Sequence, residues 1–471
     1  MDRKTSLPLS AGEQQNELES LIELHRQEPE NSVVLNNLGI LSFKAGLYAE
    51  ATTWFARLAE LITRLGVPAV GNETAATVYQ NLAQSAMQSG NLDVARTALL
   101  QLRAITVAEN SFVNTNLERL ALTRLQSSLL EAEADTESFI TYHVRPSRCS
   151  SYGLTADHFP EEKVAVVIQG PLLTFQDFTL ETVKLYRQIF PYCQLIISTW
   201  ADEDGILLKK LSDAGAHVVL NEKPARPGSM NINMQLRSAR NGIVHAEQSG
   251  ATYVLKTRSD YRIYNPYFFI DALNLLNAFP LSPATQSMQK MRLIALSDLN
   301  RYVIYSVQDR NMFGHMTDMI KYWSPPEDDR DKPGDDLQNP LQLARFGYAE
   351  SYLFTRYMSG IGRELKWSLT DFWDILKEHF VIMDEAAADA YWCKHVRNLE
   401  YRYKQYTFNS NFERFGFLDW LRLYQGNYPM LDDPRIIERK HGSYLSDILK
   451  EHLQKTAERI SEVGIPATNN A

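Results

Sequence analysis

Cysteine is scarce in this 471-residue chain: Cys149, Cys193 and Cys393 are the three present, and none stands in a CxxC pair. That excludes a disulfide framework or a cysteine zinc cluster, and it fits a reducing cytoplasm. Apolar runs are short, none approaching the roughly 18 residues of a membrane span. Excess positive charge is missing too, since a net charge of −9 and a pI near 5.7 argue against a nucleic-acid partner. The opening MDRKTSLPLSAGEQQ has no apolar core of signal-peptide length, so a non-exported chain is expected. No GxGxxG turn or Walker GKS follows the first apolar strand, so dinucleotide and P-loop chemistry lack their phosphate cradle. What remains is a globular composition, 44% hydrophobic and 22% charged, on a length that predicts two folded units.

Residues 12–134 carry apolar positions at helical spacing, broken around Pro29, Gly46, Gly66 to Gly71 and Gly90. Offset by 44 residues, Asn37, Leu38, Gly46, Ala51 and Leu58 align with Asn81, Leu82, Gly90, Ala95 and Leu102. Each copy has a small residue (Gly39, Ala83) before the turn glycine and a large apolar one (Phe55, Leu99) after it, as closely packed helical hairpins require. The pattern resembles tetratricopeptide repeats. Its period is about ten longer than the usual 34 or so, and the extra length falls in ITRLGVPAVGNETAA. Flanking helices at 13–28 and 112–134 are expected to cap the stack. Such a module either recruits a protein partner or covers the next domain. Residues 135–162 read as a linker.

From VAVVIQGPLL onward, strands and helices alternate: TLETVKLYRQIF capped by Thr179, QLIISTW, DGILLKKLSDAG, HVVLNE, a helix from 236 to 248, then YVLK. That alternation predicts an α/β fold with a mostly parallel sheet across 163–440, which binds ligands at the carboxyl ends of its strands. There the chain places Gln169, Gly170 and Pro171 after the first strand. The fourth strand continues into Lys256, Arg258, Asp260 and Arg262. An acid among cations suits either a metal and a phosphate or an ion pair at a strand end. Asn231, Asn233 and Gln235 in the entry loop suit sugar hydroxyls or ordinary turns, and Arg237 and Arg240 share a helical face suited to a pyrophosphate or to solvent.

The position of Asp260, three crossovers beyond the first strand, resembles the GT-A glycosyltransferases, whose fourth strand ends in DxD. The resemblance implies a Rossmann-like sheet, a nucleotide-sugar co-substrate and a divalent cation, manganese or magnesium, on Asp260. Here Arg258-Ser259-Asp260 departs from it by losing the first acid. The runs VVIQGPLL, FTLETVKLYRQIFP, IISTW, NINMQLRS and VLKTRSDYR, followed by SVQDRNMFG, YAESYL and DFWDIL, resemble the WavE lipopolysaccharide synthesis family over about 163–385. This implies sugar transfer from a nucleotide sugar to a glycan or lipid-linked acceptor during assembly of a bacterial surface polysaccharide, lipopolysaccharide or capsule. Ala349 stands where that pattern expects a proline.

An inverting transfer needs a carboxylate for the acceptor hydroxyl's proton. Asp309, expected at the end of the strand YVIYSV, and Glu350, ahead of the helix ESYLFTRYM, are the catalytic candidates; Glu350 alternatively serves the helix dipole. SPPEDDRDKPGDDLQNP, 324–340, reads as a surface loop. Between Tyr391 and Tyr424 stand 11 aromatics and six Lys or Arg against three acids, which suits peripheral contact with the inner membrane or helix packing. Residues 441–471 read as a terminal helix and tail. The missing acid also leaves open a catalytically silent scaffold that binds a nucleotide or glycan and recruits partners through the repeats.

Overall fold

The computed structural model describes residues 11–106, 110–135, 140, 142–296, 299–300, 303–330, 340–396 and 414–427. The chain divides into two compact units between Val144 and Arg145. The first is helical throughout its described residues: α1 (Ala11–Gln27), α2 (Ser32–Lys44), α3 (Tyr48–Leu65), α4 (Val67–Val70), α5 (Asn72–Gln88), α6 (Leu92–Ile105) and α7 (Ser111–Ala134). Asn31, Asn91 and Asn110 start α2, α6 and α7, their side chains accepting first-turn amide hydrogens that the helix leaves orphaned. The two repeat copies are the hairpins α2–α3 and α5–α6. Their turn glycines, Gly46 and Gly90, take left-handed φ values of 77° and 76°. Gly39 is required by packing, since a Cβ there would lie 2.6 Å from the Phe55 ring. In the second copy Ala83 and Leu99 fill the equivalent positions, both fully buried. The long period is absorbed by the last turns of α3 and by the single turn α4.

The second unit is built on a sheet. Its strands are β1 (Val164–Gln169), β2 (Gln194–Trp200), β3 (His217–Asn221), β4 (Tyr253–Arg258), β5 (Tyr261–Ile263), β6 (Leu293–Leu296), β7 (Leu299–Asn300), β8 (Met312–His315), β9 (Phe380–Met383), β10 (Ala390–Trp392) and β11 (Arg414–Phe415). Seven of them form one sheet in the order β3-β2-β1-β4-β8-β6-β9. All its neighbours are parallel except β8, which runs antiparallel to both β4 and β6. The helices are α8 (Phe178–Ile189), α9 (Gly205–Asp213), α10 (Ile232–Gln248), α11 (Phe268–Ala278), α12 (Pro283–Gln286), α13 (Met316–Tyr322), α14 (Pro340–Phe346), α15 (Ala349–Gly360), α16 (Leu369–His379), α17 (Cys393–Val396) and α18 (Phe417–Tyr424). β1 is buried along its whole length, which explains its unbroken apolar sequence. α10 lies so close to β1 and β2 that a Cβ on Gly242 would sit 2.4 Å from Val167 Cγ1. The order 3-2-1-4 reverses direction at β1, so the crevice between the ends of β1 and β4 is the topological switch point.

Three expectations are corrected. Thr179 does not cap α8; its hydroxyl accepts from Leu173 N at 2.9 Å and donates to the Ser259 carbonyl at 3.0 Å, tying the β1 loop to β4. Residues 303–307 of the YVIYSV region form a turn around Tyr305 rather than a strand. Residues 145–152 are part of the second unit rather than a free linker. There Arg145 pairs with Asp389 at 2.6 Å, and Cys149 N donates to Glu181 at 2.8 Å. The stretch 324–330 is irregular and partly exposed, as expected of a surface loop, and Asn233 fastens it by donating to the Asp328 carbonyl at 2.7 Å and accepting from its amide at 2.6 Å. The remainder of that loop through 339, residues 397–413 of the aromatic strip, and the terminal helix and tail at 441–471 lie outside the described residues. No helix among the described residues is long and apolar enough to cross a membrane.

Candidate functional site

Two chain segments meet at the switch point. After β1, Gly170 turns with φ 106° and donates its amide to Ser198 O at 3.1 Å. After β4, Ser259 N donates to Gln169 O at 3.0 Å and its hydroxyl donates to the Pro171 carbonyl. A Cβ on Gly170 would touch Ser259 Oγ at 3.4 Å, so the two ends are laced together. The Gln169 side chain turns inward, where its oxygen accepts from Ser238 Oγ at 2.7 Å, and it does not line an open pocket.

Arg258 and Asp260 form a bidentate pair, Nε to Oδ1 at 2.9 Å and Nη2 to Oδ2 at 3.1 Å. Trp392 on β10 also donates to Oδ2, at 3.2 Å. Burial opposes the charge on Asp260, but Arg258, Trp392 and Lys394 outweigh it and hold the carboxyl below its ordinary range. Arg310 lies over the Trp392 ring at 4.3 Å and pairs with Glu385 at 3.1 Å.

Asp309 and Glu350, 41 positions apart in the chain, are brought to the same edge. Asp309 stands ahead of β8; because that strand is antiparallel, its beginning lies beside the end of β4, with Met312 opposite Lys256. The expected placement at a strand end is therefore wrong, and the expected sheet edge is right. The Asp309 carbonyl is clamped by Lys256 Nζ and by Gln235 Nε2 at 3.2 Å. Glu350 occupies the first turn of α15, with Oε2 buried and without a hydrogen-bond partner. Burial, and then the charge of Asp309, raise the Glu350 carboxyl to about 8, although Arg310 and Arg258 pull the other way. Glu350 therefore stays largely protonated near neutrality, with the Asp309 charge acting on it.

Several cations and amides expected to contact a donor are instead structural. Lys256 is 0% exposed and stacks on Trp323 at 4.2 Å; burial pushes its ammonium down to about 7. Arg262, 1% exposed, spends its guanidinium on Thr182, Ser147, Tyr264 and Phe178 at 2.8–3.1 Å. Asn233 is consumed by the loop contacts described above, while Asn231 is exposed in a left-handed conformation ahead of α10. Arg237 pairs with Glu327, and it lines with Arg240 a cavity of about 580 Å³ at the end of β3, beside Asn241 and Pro325. Sequence reasoning missed Trp392, Arg310 and Glu385. The one available signal was the juxtaposition of Asp309 and Arg310.

A divalent cation on Asp260 does not fit these side chains. Arg258 holds both carboxylate oxygens in the place of a second acid, and no group of three ligating side chains assembles among the described residues.

Residues 164–352 match the model of a family described as WavE lipopolysaccharide synthesis. The resemblance read from the sequence holds over that segment, which contains every candidate site residue; DFWDIL, at 371–376, lies beyond it. No curated protein matches the chain. Among solved structures, the N-terminal domain of stress-induced protein-1 from C. elegans is 13% identical over 21% of this chain and 76% of its own, with a TM-score of 0.19. A Thermobaculum terrenum O-GlcNAc transferase mutant is 14% identical over 49% of this chain and 41% of its own, with a TM-score of 0.18. At such scores neither likeness bears on fold or function.

Proposed function

We propose that the second unit is a GT-A-like glycosyltransferase domain that moves a sugar from a nucleotide donor to a glycan or lipid-linked acceptor in bacterial surface polysaccharide synthesis. The observation that carries this reading is the carboxyl pair Asp309–Glu350, set at the switch-point edge beside the Arg258–Asp260 pair. The match to a lipopolysaccharide synthesis family supports the substrate class. In the reaction, the acceptor hydroxyl oxygen attacks the anomeric carbon while its proton passes to a carboxylate oxygen of the pair. The bond from that carbon to the donor phosphate breaks, and its electrons leave with the phosphate, which faces Arg258. Glu350, whose carboxyl burial and the Asp309 charge raise to about 8, titrates near the working pH that suits such a transfer. The Asp309 carbonyl, clamped by Lys256 and Gln235, keeps the pair in place. The helical first unit supplies a surface for a protein partner.

The test is turnover of a panel of nucleotide sugars with candidate glycan and lipid-linked acceptors, reading released nucleotide. Asp309→Asn is expected to lower kcat by about 100-fold to 10,000-fold. Wild-type rates in that variant would remove the pair from the chemistry. Donor binding without turnover by any acceptor would replace the transferase with a binding scaffold.

A further inference from the structure

We propose that this site manages its leaving group without a divalent cation, through the outward edge of the Arg258 guanidinium, and that its donor is a sugar joined to its nucleoside through a single phosphate. The inference rests on the transferase reading above.

A guanidinium carries five N–H donors in a planar fork. Arg258 commits Nε and one hydrogen of Nη2 to Asp260. The opposite edge, formed by Nη1 and the second hydrogen of Nη2, has no hydrogen-bond partner among the described residues. The side chain is 27% exposed, against 10% for the carboxylate that holds it. The anchored edge holds Asp260 and the free edge is left for one oxyanion, a geometry that suits the two oxygens of a phosphate. Asp260 is thus a positioning residue for Arg258.

Of the other cations near β4, four are spent, while Lys394 is exposed and acts on Asp260. Lys256 lies behind Trp323, Arg262 is enclosed, Arg310 covers Trp392 and pairs with Glu385, and Arg237 pairs with Glu327. One free guanidinium fork, with Lys394 as a point charge beside Asp260, complements one phosphate. A second phosphate would bring further negative charge toward Asp309 and Glu350, which both act on Arg258. A leaving nucleoside monophosphate gathers less charge than a diphosphate, and a single bidentate contact offsets it.

The experiment uses the full chain and the same acceptor panel, with sugars activated as nucleoside monophosphates or diphosphates, each with manganese, magnesium or EDTA. Release from a monophosphate donor at a rate unaffected by EDTA is expected. Release confined to a diphosphate donor and abolished by EDTA would overturn the inference while leaving the transferase standing. No release from any donor would overturn the transferase itself. Arg258→Ala is expected to lose about 100-fold or more in kcat/KM and to recover in part with added guanidinium in EDTA; recovery with manganese instead would refute the assignment. Manganese binding, read by electron paramagnetic resonance, serves if that variant fails to fold. Wild type and Asp260→Asn should bind the ion equally weakly, and tight binding lost in Asp260→Asn would make Asp260 a ligand.

Discussion

Replacing Glu350 by glutamine removes the one carboxyl that the fold holds protonated near neutral pH while keeping its shape. Its folded pKa of about 8 lies above the ordinary 4.5, because of burial and the Asp309 charge. The folded protein therefore keeps a proton that the unfolded chain releases, and this contribution to stability is greatest below pH 4.5 and declines as pH rises toward 8. At about 1.4 kcal/mol per pKa unit, the burden on the wild type is under about 1 kcal/mol at pH 5 and about 3 kcal/mol at pH 7. Glutamine does not titrate, so the stability of Glu350→Gln relative to wild type should climb by roughly 2 kcal/mol between those values. Urea unfolding followed by tryptophan fluorescence reads this in the right unit, since six of the seven tryptophans lie beyond Val144 and Trp54 alone precedes it. A difference that stays constant from pH 5 to pH 8 would show that Glu350 is ionised throughout and refute its raised carboxyl. The same variant should lose activity by about 100-fold or more while gaining stability, a trade expected of a residue strained for chemistry.

His379 gives the opposite slope. It is 1% exposed and hydrogen-bonded to Gln289 at 2.7 Å; burial, with help from Arg363 and Arg292, depresses it to about 4. Stability should fall as pH drops from 6.5 toward 4, by about 3 kcal/mol in all, and His379→Gln should flatten that limb in urea titrations; an unchanged acid limb would refute it. Arg262→Lys keeps the charge but cannot reach four partners at once, and should cost about 2–4 kcal/mol by urea midpoint. A cost under about 0.5 kcal/mol would release Arg262 from its structural role.

Local pattern made a large part of this protein legible. The 44-residue offset located both helical hairpins because packing them needs small residues and turn glycines at fixed spacing, here Gly39, Gly46, Ala83 and Gly90. Unbroken apolar strands separated by amphipathic helices gave β1 to β4 in order, since a parallel sheet buried on both faces imposes that alternation. Asp260, Asp309 and Glu350 could be nominated because each follows or precedes an apolar run that places it near the ligand edge of a parallel sheet.

Side-chain employment was decided only in three dimensions. The sequence presents Lys256, Arg258 and Arg262 as equivalent cations around one acid. Their partners then send them to different tasks: Arg262 to the Ser147 carbonyl more than a hundred positions away, Lys256 beneath Trp323, and Arg258 to the Asp260 carboxylate that Trp392 also holds. The antiparallel run of β8, unreadable from its own apolar residues, delivered Asp309 to Glu350. Sequence by itself determined which elements form, because helix and strand periodicity is a property of neighbours. Tertiary structure determined which charges stay available, because burial and pairing depend on what the rest of the chain brings alongside them.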